Sequence, residues 1–166
     1  MENEILKNLK LDSEKGGLFF NEVRYLLIRP ETLVAFQKGT EKEIGGKTSQ
    51  ILFQSGFEGG SLSSKKYREF FGFSYLEIVH FIIEMGSHIG WGRFDLETFD
   101  LIKESIIVNV YHSPFAEAYG TSSLPVCHFI RGVLSGMASL IFGGEKEGKE
   151  LSCLAMGDSY CRFKIG

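Results

Sequence analysis

Apolar and polar positions along this chain follow two periods, and each change of period marks a boundary between strand and helix. Residues 18–29, LFFNEVRYLLIR, read as a strand bounded by Gly16-Gly17 and Pro30. Pro30 suits the first turn of a helix that carries Leu33, Val34 and Phe36 inward. A second helix is predicted from about Lys47 to Phe57, stopped by Gly59-Gly60, with Ile51, Leu52 and Phe53 as core candidates. Lys65 to Phe71 reads as a short helix ended at Gly72. Ser74 and Glu77 then have the spacing of a capping box, opening a helix with Leu76, Val79, His80 and Ile83 on its apolar stripe.

Period-two patterning follows in two predicted strands, Trp91 to Leu96 and Ile102 to Tyr111. In the second, Ile106, Val108 and Val110 face one way and Ile107, Asn109 and Tyr111 the other. Both faces are largely apolar, as expected of a strand covered on both sides or lining a pocket. Ser113-Pro114 breaks it, and Phe115 to Tyr119 forms a short helix before Gly120. A long helix is predicted from near Leu124, with Ser122 or Ser123 as cap and Pro125 in its first turn, ending at Gly143-Gly144. Within it, Gly132 and Gly136 stand one turn apart and would let another backbone approach closely. Residues 149–166 close the chain as a hairpin. Ahead of all this, residues 1–16 are charged, with Ile5, Leu6 and Leu9 as a weak helical stripe.

Composition narrows the class. At 166 residues the chain has room for one domain with a real core, and 43% hydrophobic content with 15 phenylalanines implies an aromatic-rich interior. We read residues 1–16 as an extension and 17–166 as a single domain. A formal net charge of −3 offers no basic footprint for nucleic acid, and no apolar run is long enough for a membrane span. The start, MENEILKNLK, lacks the basic and apolar regions of a signal peptide, so a cytoplasmic location is expected.

The candidate chemistry lies in the last forty residues or so, which hold all three cysteines: Cys127, Cys153 and Cys161. Three thiols cannot all pair in disulfides, and three thiolates favour a soft or borderline metal ion. A closed zinc site needs a fourth ligand, for which Glu150 and His128 are nearest in sequence. Three separate buried thiols are the plainer alternative.

The segment Pro125-Val-Cys127-His, then Gly132 and Gly136, then Glu150-x2-Cys153-x-Ala-x-Gly-Asp-x-Tyr-Cys161-x-Phe resembles the 4-vinyl reductase domain. This small-molecule-binding domain also forms the sensory part of phenol- and xylene-responsive regulators. The resemblance implies a structural Zn2+ held by three cysteines and one glutamate, here Cys127, Glu150, Cys153 and Cys161 in the spacing Cys-x22-Glu-x2-Cys-x7-Cys. It also implies an α+β fold, an antiparallel sheet packed by helices with the zinc clamping the terminal hairpin. That fold is similar to vesicle-tethering transport-particle subunits and heme-NO-binding-associated domains. In one regular strand Glu150 and Cys153 would point to opposite faces, so Glu150 must precede the strand or a bulge must intervene. Gly148 favours the former.

The function expected is a cytoplasmic sensor or regulatory domain that binds a small, largely apolar or aromatic ligand and forms a homodimer through the strand at 18–28. The pocket is expected between the helix at 74–89 and the strand at 102–111, with His80, Trp91, Asn109 and Tyr111 as candidate contacts. His80 and Trp91 read equally well as core residues. Four protein ligands would saturate zinc, and no nucleophile and base stand at a recognisable spacing, so no catalytic residue is assigned. Two alternatives are an enzyme or accessory protein of tetrapyrrole metabolism and a scaffold subunit of the transport-particle kind.

Overall fold

The computed structural model describes residues 4–166 and has the expected α+β character. The chain opens with α1 (Glu4–Asn8), β1 (Leu9–Asp12), β2 (Gly17–Phe20) and β3 (Val23–Tyr25). The strand anticipated over 18–29 is thus a hairpin: Asn21, at φ 51°, turns the chain, and Phe20 pairs with Val23. Asparagine tolerates that left-handed conformation, which is why a turn fits inside an apolar run. β1 pairs antiparallel with β2, so the expected boundary at residue 16 falls in the turn between two paired strands. Ile5 is buried; residues 1–3 lie outside the described residues.

Three helices follow, α2 (Pro30–Ile44), α3 (Lys47–Phe71) and α4 (Tyr75–His88). Pro30 opens α2 as predicted and Val34 is buried, but Phe36 points to solvent. α3 runs straight through Gly59-Gly60, which do not stop it. Glycine inside a helix loses about 1 kcal/mol against alanine, and here packing offsets that loss. A Cβ at Gly56 or Gly60 would come within 2.2 Å of the carbonyl oxygens of Phe129 or Val133 on the facing helix. Gly72, at φ 68°, is the actual stop. The capping box at Ser74 and Glu77 is formed: Ser74 N–H donates to Glu77 Oε2 at 2.8 Å and Glu77 N–H to Ser74 Oγ at 3.4 Å. The buried stripe of α4 is Ile78, Val79, Ile82, Ile83 and Met85, while Leu76 and His80 are exposed.

The second half holds β4 (Arg93–Asp100), β5 (Ser105–Tyr111), α5 (Pro114–Tyr119), α6 (His128–Phe142), β6 (Gly148–Ser152), a 3-10 turn (Leu154–Met156) and β7 (Cys161–Ile165). The strands form an antiparallel sheet in the order β4-β5-β7-β6. The long helix begins at His128, later than predicted, because Ser122 closes a tight turn onto Leu124 instead of capping it. Pro125 therefore precedes the helix. Gly132 and Gly136 give α3 the close approach expected of them: a Cβ at either would lie 2.1 Å from the carbonyl oxygens of Phe53 or Phe57. α6 also touches β6 and β7, so one helix joins α3 to the sheet. Ile106, Val108, Val110, Phe163 and Ile165 are wholly buried on the inner face of that sheet.

Candidate metal centre and ligand cavity

Each of the three thiols is placed by a change of secondary structure. Cys127 is the residue before the first turn of α6, Cys153 precedes the 3-10 turn, and Cys161 opens β7. All three are at most 1% exposed. The Sγ atoms of Cys127 and Cys161 lie 3.6 Å apart, and those of Cys153 and Cys161 4.0 Å apart. Glu150 completes the group, with the four ligand atoms within 4.8 Å of one another. His128, the other candidate for fourth ligand, is not in this cluster.

Glu150 reaches the thiols through a bulge. It lies inside β6, opposite Phe163, and the register slips by one before Ser152 pairs with Arg162. The extra residue, Leu151, turns outward, which brings Glu150 and Cys153 to the same side. The placement of Glu150 ahead of the strand, favoured from Gly148, is not what the fold uses.

The environment is that of four acids closing on a point. Glu150 Oε2 accepts the Cys127 N–H at 3.0 Å, while Oε1 is buried with no partner. Leu154 N–H points at Cys161 Sγ at 3.4 Å, and Asp158 Oδ2 accepts from Cys153 N–H at 2.8 Å, pinning the turn. Burial, then the Cys153 charge, pushes the Glu150 carboxyl up to about 9. Hydrogen bonds from Cys127 and Cys161 hold the Cys153 thiol far below its usual value, and Cys127 is raised in turn by its bonds to Cys153 and Cys161. Without a cation, then, the cluster keeps one negative charge and shares protons over the rest. A buried carboxylate oxygen without a partner beside three thiols fits a metal ion. Ser113, whose Oγ sits 3.5 Å from Cys127 Sγ, is a neighbour that sequence reading took only as a strand break.

A cavity of about 250 Å³ lies between β3, α3, α4 and α6. Its lining is apolar apart from Arg24, Tyr25, Ser63, Tyr67 and the indole of Trp91. Trp91 is the chain's only tryptophan and stands edge-on to Phe115 and Phe129. Of the four residues predicted as ligand contacts, only Trp91 is there. His80 is on the exposed side of α4. Asn109 and Tyr111 face the far side of the sheet: Asn109 donates to Glu97 at 3.1 Å, and Tyr111 lies between the Tyr160 ring and the Arg93 guanidinium. β5 does not line the cavity, since its inner face is filled by core and its outer face carries the Glu97–Arg162 ion pair. Tyr25 and Tyr67 were missed, because forty-two residues separate two side chains that meet only in three dimensions.

Residues 106–166 match the family model of the vinyl-4-reductase (V-4-R) domain. This is the family resemblance read from the cysteine and glutamate spacing, and the matched segment contains all four clustered residues. Over 96% of its length the chain is 24% identical to the phenol regulator MopR of Acinetobacter guillouiae. It spans only 30% of that regulator. Its fold is shared with the phenol-responsive sensory domain of the transcription activator PoxR, solved with phenol, at a TM-score of 0.82 and 20% identity over 98% of this chain and 86% of that one. A vinyl-4-reductase family protein from Methanocaldococcus jannaschii matches at 0.61, with 18% identity over 98% and 92% of the two chains. A trafficking protein particle complex subunit 3 from Naegleria fowleri, solved covalently bound to palmitic acid, matches at 0.59, with 11% identity over 82% and 93%. The expected kinship to transport-particle subunits thus holds at the level of fold. No helix among the described residues is long and apolar enough to cross a membrane.

Proposed function

We propose that this chain is a sensor domain that binds a small, largely apolar ligand in the cavity beside Trp91, with its fold clamped by one structural zinc ion. The observation that carries the ligand half is the cavity itself, apolar, small and bordered by few polar groups, as ligand sites are. A void of about 150 Å³ is enough to hold benzene, so about 250 Å³ suits a molecule of one or two rings. A four-ring tetrapyrrole would not fit, which speaks against the vinyl-reductase alternative. The phenol-binding neighbour and the phenol regulator support an aromatic ligand.

Zinc is supported by the donor set. Thiolate bonds of about 2.3 Å in a tetrahedron space the sulfurs about 3.8 Å apart, between the 3.6 and 4.0 Å found here. Cys127, Cys153, Cys161 and the free oxygen of Glu150 would fill all four positions, leaving none for substrate or water, so the role is structural and the reading is of binding, not turnover. The ion would fix the start of α6 to the terminal hairpin, and α6 supplies Phe129, Ile130, Val133 and Leu134 to the cavity wall. Metal and ligand are thereby coupled through one helix. Reduced thiols suit a cytoplasmic location. Homodimerisation is supported by the exposed run Leu26-Leu27-Ile28 just after the edge strand β3.

Trp91 fluorescence tests the ligand reading. Titrating the whole chain with phenol and with toluene should change Trp91 emission saturably. Unchanged emission throughout would remove the sensor reading.

A further inference from the structure

The polar side chains around the cavity all offer hydrogen-bond donors to whatever fills it. Tyr67 is 2% exposed, and its hydroxyl is hydrogen-bonded to that of Tyr25. Two tyrosines bring two O–H protons, and their mutual bond uses one. The other finds only the thioether of Met85, with Sδ 3.7 Å from Tyr25 Oη, and thioether sulfur is a weak acceptor. Burial raises both phenols above the ordinary tyrosine value, so both stay protonated at neutral pH. Trp91 contributes an indole N–H, again a donor alone. Among the described residues that line the cavity there is no carboxylate, imidazole or side-chain amide to accept a proton or balance a cation.

We propose that the Tyr25–Tyr67 pair is the polar anchor of this cavity and that it selects an apolar ring bearing one hydrogen-bond acceptor, of the aryl ketone or aldehyde class, over the hydrocarbon of equal size. This rests on the reading of the cavity as a ligand site and says what that ligand must carry. A carbonyl oxygen replaces the Met85 sulfur as partner of the spare O–H, exchanging a weak bond for an ordinary one. It brings no proton of its own that would need an acceptor. An alkylammonium would find no counter-charge and would be rejected, because burying an unpaired charge is costly. A hydrocarbon fits the walls but leaves the hydroxyl pair as it is.

The pair also says how binding would be felt. Tyr25 belongs to β3 and Tyr67 to α3, so their bond ties the N-terminal sheet to the helical layer. A ligand that engages this bond acts at the junction of the two layers.

Acetophenone and isopropylbenzene differ by a carbonyl oxygen in place of a methyl group, and calorimetric titration of the whole chain with each reads the anchor. The expected result is tighter binding of acetophenone by on the order of tenfold. That preference should fall to about twofold or less in the Tyr25→Phe/Tyr67→Phe double variant, with isopropylbenzene affinity unchanged. The infrared carbonyl stretch of bound acetophenone gives a second reading that needs no variant: it should shift to lower frequency, as for a hydrogen-bonded ketone. Equal affinity of the two compounds, a preference that survives the double variant, or an unshifted carbonyl would overturn the anchor while leaving the cavity a ligand site. Binding of neither compound would overturn both.

Discussion

Glu150 and Cys127 are joined twice over: one carboxylate oxygen accepts the Cys127 N–H at 3.0 Å, and the other faces the thiol cluster without a partner. The first contact orients the side chain and caps the start of α6; the second leaves an anionic donor for a cation. Glu150→Gln keeps an acceptor for the backbone N–H but removes the charge. Metal retained after dialysis against a weak chelator should fall by more than about tenfold, since even residues that only support metal ligands are worth that much. Retention equal to wild type would mean that Glu150 is not a ligand.

The crossing of α3 and α6 allows a paired test. Gly60→Ala places a methyl group 2.2 Å from the Val133 carbonyl oxygen and should cost about 1–3 kcal/mol or more in chemical denaturation. Gly59→Ala, one position along the same helix with nothing within 4 Å, should gain about 0.5–1 kcal/mol. Similar effects from both would contradict the close crossing.

How much of this was legible turns on whether a feature is local. The capping box at Ser74 and Glu77 and the stop at Gly72 depend on neighbours in sequence, and both were readable. The ligand set was readable because its spacing belongs to the motif, although the bulge that makes it geometrically possible depends on pairing with β7. Gly59-Gly60 misled because glycine breaks an isolated helix but cements one that crosses another closely, and the partner glycines, Gly132 and Gly136, lie far along the chain. The cavity was misplaced because β5 looked apolar on both faces, while Glu97 and Arg162 cover its outer side from other strands. On α4 the stripe was shifted around the helix, which put His80 inside and left Ile78 and Ile82 out.

The carboxylate of Glu77 is held below the ordinary glutamate range, chiefly by its hydrogen bond from the Ser74 hydroxyl. A depressed value contributes stability that is present at neutral pH and lost as pH falls through the folded-state value. Ser74→Ala should lower the Tm at pH 7, and the gap to wild type should narrow as the solution is acidified below the usual glutamate range. A gap that widens on acidification would contradict the carboxylate's part in the cap.

Leu26 and Leu27 are 83% and 82% exposed beside the edge of β3. If they are the dimer contact, Leu26→Asp/Leu27→Asp should sediment as a monomer at tens of micromolar, where wild type sediments as a dimer. A monomeric wild type, or a dimeric double variant, would place the interface elsewhere or remove it.

Metal removal probes the link between the zinc site and the cavity. Chelation should free the terminal hairpin first, exposing Cys153 and Cys161 to thiol reagents before the helical layer unfolds. It should also weaken ligand binding, because the start of α6 loses its tether. Thiol reactivity and Trp91 fluorescence, followed in the same sample, read these in sequence. Binding undiminished by chelation would separate the metal from the cavity.

Native mass spectrometry of protein expressed with zinc, sprayed without denaturant or chelator, tests the central claim most directly. One zinc ion per chain is expected in the intact protein, reduced to none in Cys161→Ser, with all three thiols protected until the ion is removed. A metal-free mass for wild type, with Cys127, Cys153 and Cys161 alkylated freely in the folded chain, would contradict it.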